Sequence, residues 1–169
     1  MPDKEIILND IDVVMFDLDG TVYYGSKIIV GANETIRFFR SKGKRVLFTT
    51  NNSTKTRKQI FERLKNMGVD CTLDEIVTSG YLAAEYVKSN ELDDIYILGS
   101  ENLVEEFQNV GITTKQDESA KNLLIGYDPH MTYEDLVEAL QVAIHAKCII
   151  ACNKERTFPG EGARLMPGC

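Results

Sequence analysis

The sequence predicts an α/β fold built on parallel sheets. Three observations carry that prediction. Short β-branched apolar runs alternate with helical patterns along most of the chain. The runs are apolar at successive positions, as strands covered by helices on both faces require. Most of the helical segments close on a glycine, the residue that best accepts the left-handed turn beyond a helix. Such alternation makes βαβ units, whose crossovers force neighbouring strands to run parallel.

Each element follows from its own pattern. "DVVMF" reads as a strand, and "NETIRFFRSKG" as a helix with Ile36 and Phe39 on one face, ended by Gly43. "RVLFTT" is the next strand. "TKTRKQIFERLKNMG" spaces Ile60, Leu64 and Met67 helically and ends at Gly68. "EIVTS" is a short strand, and "GYLAAEYVKSN" a helix with Leu82, Ala83 and Tyr86 facing inward. The polar "KSNELDD" marks a domain boundary near residues 88–94, giving domains 1–88 and 89–169. Alternation then restarts. "IYILG" is a strand, and Ser100 N-caps "ENLVEEFQNVG", whose Leu103, Phe107 and Val110 face inward. After the strand "NLLIGY", Thr132 and Asp135 form a capping box for "YEDLVEALQVAIHA", with Leu136, Leu140 and Ile144 as the buried stripe. "KCIIAC" is the last strand, and "NKERTFPGEGARLMPGC" reads as loop.

With 169 residues, 43% hydrophobic and 27% charged, the chain has the composition of a folded globular protein. A formal charge of −7 argues against nucleic acid or an anionic membrane as the main partner. No apolar run reaches the length of a membrane span, and the N-terminus lacks a signal-peptide pattern. Cys148 and Cys152 on one strand stand roughly 13 Å apart, too far for a disulfide. With Cys71 and Cys169 unmatched by any framework, a reducing, cytoplasmic setting fits.

The chemistry sits in "VVMFDLDGT". Ligands of open parallel sheets bind beyond the carboxyl ends of strands, where Asp17 falls, with Asp19 two residues on. Extended backbone over those steps sends both carboxylates to one side. Two adjacent carboxylates repel unless a cation or a proton compensates, and a hard divalent cation such as Mg²⁺ does so. Gly20 then permits a turn that a Cβ would obstruct. Such a pair suits phosphoryl transfer, one carboxylate attacking phosphorus and the other serving the leaving oxygen with a proton.

At the end of the second strand, "LFTTNNST" places Thr50, Asn51 and Asn52, a hydroxyl and two amides able to hold a phosphate without adding negative charge. Lys55, Arg57 and Lys58 read as a solvated helix face, and Asn153, Lys154 and Arg156 as surface polar residues. A receiver-like signalling domain also carries acids near Mg²⁺. The acid pair on the first strand, with "GT" behind it, counts against that reading.

At these residues the sequence resembles the haloacid dehalogenase-like superfamily of aspartyl phosphatases. "DLDGT" is similar to the first motif of that superfamily and "FTTNNS" to its second. The βα-rich insertion containing "IYILGS" and "LLIGYDPHMTYEDL" resembles the cap of the NagD-like branch, which includes p-nitrophenyl and phosphoglycolate phosphatases. The resemblance implies a Rossmann-like core interrupted by an α/β cap, a small phosphorylated metabolite as substrate, Mg²⁺ as cofactor, and a homodimer formed through the cap. It implies Asp17 as nucleophile, Asp19 as general acid and then base, and both as metal ligands, Asp19 through its carbonyl. Thr50, Asn51 and Asn52 would bind phosphate, with Gly20 and Thr21 shaping the loop.

Members of that family return from the cap to the core with a phosphate-binding lysine and acidic Mg²⁺ ligands, whereas this sequence ends at "LMPGC". The expectation is therefore the N-terminal part of such a phosphatase, hydrolysing p-nitrophenyl phosphate weakly or not at all. "VVMF" would then form an exposed apolar sheet edge. The alternative is a catalytically inactive remnant that binds a phosphorylated metabolite or a protein partner.

Overall fold

The computed structural model describes residues 8–159 and 164–168. Cys169 and residues 160–163 of the tail lie outside them. The chain divides into two compact units, Met1–Thr50 with Lys58–Val77 and Asn51–Arg57 with Thr78–Cys169.

The first unit is built on β1 (Val13–Asp17), β4 (Arg45–Thr50) and β5 (Ile76–Thr78), in the spatial order β1-β4-β5. β1 and β4 run parallel, with Val13 opposite Arg45 and Asp17 opposite Thr49. A short hairpin of β2 (Tyr23–Tyr24) and β3 (Lys27–Ile28) follows β1. The helices are α1 (Ala32–Ser41) and α2 (Arg57–Asn66), the latter beginning at the border of the units. Ile36 of α1 and Ile60 and Leu64 of α2 are buried with Leu18, Val46, Phe48 and Ile76 in one core. Gly43 and Gly68 close the helices at φ 71° and 78°, as their sequence positions predict. β1 is the exposed apolar edge expected for "VVMF", not a strand covered on both faces. It lies at the sheet edge, and its exposure alternates, with Val13 37% and Met15 61% exposed.

The second unit has three layers around the parallel sheet β6-β7-β8, made of β6 (Ile95–Leu98), β7 (Asn122–Ile125) and β8 (Cys148–Ala151). Ile95, Ile97 and Leu124 bury one face of it beneath α3 (Ser79–Ser89) and α4 (Glu101–Asn109). Tyr96, Leu98 and Leu123, on the alternate positions, bury the other beneath α5 (Tyr133–His145). The Thr132–Asp135 capping box forms as expected, Thr132 N–H donating to Asp135 Oδ2 at 2.7 Å and Asp135 N–H to Thr132 Oγ1 at 3.2 Å.

Three expectations need correction. On α5 the buried residues are Ala139 and Val142, while Leu136, Leu140 and Ile144 are exposed. On α3 they are Gly80, Ala83, Ala84 and Val87, while Leu82 and Tyr86 face outward. Close approach bears on α3 at Gly80, where a Cβ would stand 2.9 Å from Leu103 Cδ1 of α4. The tail is not simply loop, because β9 (Thr157–Pro159) and β10 (Leu165–Pro167) pair antiparallel. Ser100 does occupy the N-cap of α4, but its hydroxyl makes no capping bond.

Candidate active site

The acidic loop is assembled within the first unit. β1 ends at Asp17, and the chain folds back at once: the N–H groups of Thr21, Val22 and Tyr23 all donate to the Leu18 carbonyl, at 3.2, 2.9 and 3.1 Å. Gly20 takes φ 82°, a left-handed conformation costly for residues with a Cβ, and its N–H donates to the Tyr23 carbonyl at 2.8 Å. Leu18, Val22 and Tyr23 point into the core, whereas Asp17 and Asp19 are exposed. Burial of alternate residues thus fixes the backbone while both carboxylates face solvent.

Tyr23 ties the loop together. Its ring is fully buried, and its hydroxyl donates to Asp19 Oδ2 at 3.3 Å. Burial, then the Asp19 charge, pushes the phenol up to about 12, with a smaller push from Asp17. Both carboxylates therefore act electrostatically on one hydroxyl. Arg63 opposes them: its guanidinium lies 4.2 Å over the Tyr23 ring and donates to the Gly25 carbonyl at 2.6 Å.

Thr50 ends β4, one residue beyond the Thr49 that faces Asp17 across the ladder. Adjacent parallel strands stand about 4.8 Å apart, so Asp17 and Thr50 share the carboxyl end of the same sheet. Thr49 Oγ1 also donates to the Phe16 carbonyl at 3.3 Å. Asn51 and Asn52 belong to the second unit. Asn51 Nδ2 donates to Glu155 Oε2 at 3.0 Å, and the Asn51 carbonyl accepts from Ser79 Oγ at 2.9 Å. Asn52 Oδ1 accepts from both N–H and Oγ1 of Thr54 at 2.8 Å, a side-chain turn that leads into α2. Ser53 Oγ accepts from Tyr127 N–H at 3.0 Å.

Tyr23, Arg63 and Glu155 escaped the reading of the sequence. Tyr23 alone had a local signal, an aromatic residue four positions after Asp19. Among the described residues no group of three or more His, Cys, Asp or Glu side chains gathers as a metal site.

A family model for haloacid dehalogenase-like hydrolases matches residues 14–113. The chain belongs to that family. An acid sugar phosphatase of Staphylococcus aureus is 36% identical over 155 residues, covering 91% of this chain. The chain spans 60% of the length of that curated relative. The crystal structure of a 4-nitrophenylphosphatase from Thermotoga maritima superimposes with a TM-score of 0.87 at 31% identity, over 96% of this chain and 62% of the other. A glycerol phosphate phosphatase from Mycobacterium tuberculosis, solved in complex with magnesium, gives a TM-score of 0.83 at 28% identity, over 96% of this chain and 50% of the other. Structural neighbours also include a NagD protein, at 31% identity. Among the described residues no helix is long and apolar enough to cross a membrane.

Proposed function

We propose that this chain carries the nucleophile loop of a Mg²⁺-dependent phosphomonoester hydrolase acting on a small phosphorylated metabolite, with sugar phosphates the first class to test. The substrate class rests on the acid sugar phosphatase relative. The observation that carries the reading is the placement of Asp17 at the carboxyl end of β1, in register with Thr49 and beside the end of β4.

An Asp17 carboxylate oxygen attacks phosphorus, and the bond from phosphorus to the substrate oxygen breaks. Asp19 gives its proton to that departing oxygen. Water then attacks the Asp17 acyl-phosphate while Asp19 takes a proton from it, releasing inorganic phosphate and the free carboxylate. Thr50, Asn51 and Asn52 bind the phosphate oxygens, and the Gly20 turn at φ 82° follows directly on Asp19. Mg²⁺ accepts one or two protein carboxylates and completes its shell with water and substrate phosphate. Asp17 through its carboxylate and Asp19 through its backbone carbonyl would hold the ion, which would offset charge on the phosphoryl oxygens. The absence of a disulfide among Cys71, Cys148 and Cys152 supports a cytoplasmic setting.

The test is covalent trapping. The chain is incubated with p-nitrophenyl phosphate and Mg²⁺, quenched in acid, and mapped for acyl-phosphate. Label on Asp17, lost in Asp17→Asn, is the expected result. No label, or label retained in Asp17→Asn, refutes the mechanism, and phosphate binding without label favours a binding protein.

A further inference from the structure

The segment Asn51–Arg57, which supplies two of the proposed phosphate donors, is gripped by one face of α4. Asn102 Nδ2 donates to the Thr54 carbonyl at 2.8 Å. One helical turn later, Glu106 Oε2 accepts the backbone N–H of Arg57 at 2.6 Å. Residues four apart on a helix share a face, so the two side chains hold the segment at two points three residues apart. Arg57 is the first residue of α2, whose N–H has no partner within its own helix. Its guanidinium lies 4.0 Å over the Tyr81 ring, which secures the same residue from α3.

Glu106 is only 4% exposed. Burying a carboxylate carries a desolvation cost that an apolar residue of similar size avoids. Burial accordingly raises its proton affinity, against the Arg57 bond and charge that lower it and the Glu105 charge that raises it further. A position next to Phe107 in the core gains nothing from a charge except what that charge holds.

We infer that Asn102 and Glu106 are positioning residues that fix the Asn51–Thr54 segment in the conformation that binds phosphate. This inference rests on the phosphatase reading above. Glu106 touches no reacting atom. It acts by holding the Arg57 N–H, at the end of the Asn51–Arg57 segment.

The experiment uses the ¹⁵N-labelled chain and its variants Glu106→Gln, Glu106→Ala and Asn102→Ala, titrated with inorganic phosphate in the presence of Mg²⁺. Glu106→Gln keeps an acceptor oxygen and is expected to bind phosphate within about threefold of the parent. Glu106→Ala is expected to weaken binding more than tenfold, with exchange protection lost at Arg57 and amide shifts confined to residues 51–57. Should Glu106→Ala fail to fold, Asn102→Ala decides, because it removes a half-buried amide rather than a buried carboxylate; it is expected to weaken binding several-fold. Parent-like affinity with unshifted segment amides in the folded variants overturns the inference. So does an equal loss in Glu106→Gln and Glu106→Ala. If phosphate moves no amide of Asn51 or Asn52 even in the parent, the phosphatase reading fails. The Arg57 exchange data then still report the clamp, but its assigned purpose falls with that reading.

Discussion

The Tyr23 hydroxyl donates to the Asp19 carboxylate at 3.3 Å while its ring lies fully buried beneath the Arg63 guanidinium. A rigid aromatic ring thus aims a donor at the residue assigned the proton transfers. Tyr23→Phe removes that donor and leaves ring burial and the cation–π contact in place. Because Asp19 is exposed, the stability change should stay within about 1 kcal/mol. Misplacing the acid should slow discharge of the Asp17 acyl-phosphate about tenfold at most, corresponding to about 1.4 kcal/mol. Quenched-flow measurement of discharge, with a denaturant titration alongside, separates the two effects.

Asp19→Asn tests the base role itself. p-Nitrophenolate leaves readily without a proton, so formation of the acyl-phosphate should suffer less than its hydrolysis. Hydrolysis requires a base for the attacking water, and loss of such a group typically costs about 10²–10⁴-fold. Acyl-phosphate on Asp17 should therefore accumulate in Asp19→Asn, to a level above that in the parent. Equal decay rates in parent and variant would remove Asp19 from the mechanism.

Gly20 offers a backbone test that leaves every carboxylate in place. At φ 82° an added Cβ meets no atom within 4 Å, so Gly20→Ala probes conformational strain alone. The left-handed conformation costs a residue with a Cβ about 1–2 kcal/mol. In a domain of this size that lowers the midpoint of thermal unfolding by about 2–8 °C. Gly20→Asn should cost less, since asparagine tolerates the left-handed region better. A calorimetric midpoint unchanged by alanine would show that the loop relaxes to another conformation.

How legible these features were depended on whether their causes were local. "VVMFDLDGT" and "RVLFTTNN" announced strands, their ends and polar residues there, because strand periodicity and the glycine turn are properties of a few adjacent residues. The inward faces of α3 and α5 were not legible. Both helices carry apolar residues around most of their circumference, so periodicity offers more than one face, and the choice falls to the neighbour's distance. At Gly80 the Leu103 side chain of α4 comes close enough to disfavour a Cβ, and α3 buries Gly80, Ala83, Ala84 and Val87 rather than Leu82 and Tyr86. Glu106 was hidden for a similar reason: its partner Arg57 lies 49 residues earlier, and no local pattern pairs them. The antiparallel pairing of β9 and β10 was missed because proline and glycine in "RTFPGEGARLMP" mask short strands.

Cys71 gives a prediction at alkaline pH. It is 4% exposed in the core of the first unit, and burial pushes its thiol up to about 11, with the Glu75 and Asp70 charges adding and the Lys65 and Arg40 charges opposing. The thiol in an unfolded chain ionises near pH 8.5. A folded value above the unfolded one means full stability below about pH 8.5, lost as pH rises toward 11. Cys71→Ala leaves a cavity and lowers stability overall, but its stability should fall less steeply across that window than the parent's. Iodoacetamide at pH 8 should modify Cys71 at least tenfold more slowly in the folded chain than in urea. Rapid folded-state labelling at Cys71, mapped by peptide mass, would contradict its burial.

Glu106 makes the opposite end of the pH scale informative. Burial is the main cause that raises its proton affinity in the folded chain, outweighing the Arg57 bond. The folded state therefore favours the protonated form. The sign follows directly: this residue's contribution to stability is greatest below the unfolded carboxyl value near 4.3. It declines as pH rises through the higher folded value, then stays level. Glu106→Gln abolishes the titration and retains an acceptor for the Arg57 N–H. Subtracting its stability from the parent's across pH 4–8 cancels the other carboxylates, including Asp117 and Asp135, which their Ser119 and Thr132 partners hold below the usual range. The difference, glutamine minus parent, should grow with pH and level off above the folded value. A difference that shrinks with rising pH would mean that the carboxylate gains more from Arg57 than burial takes away.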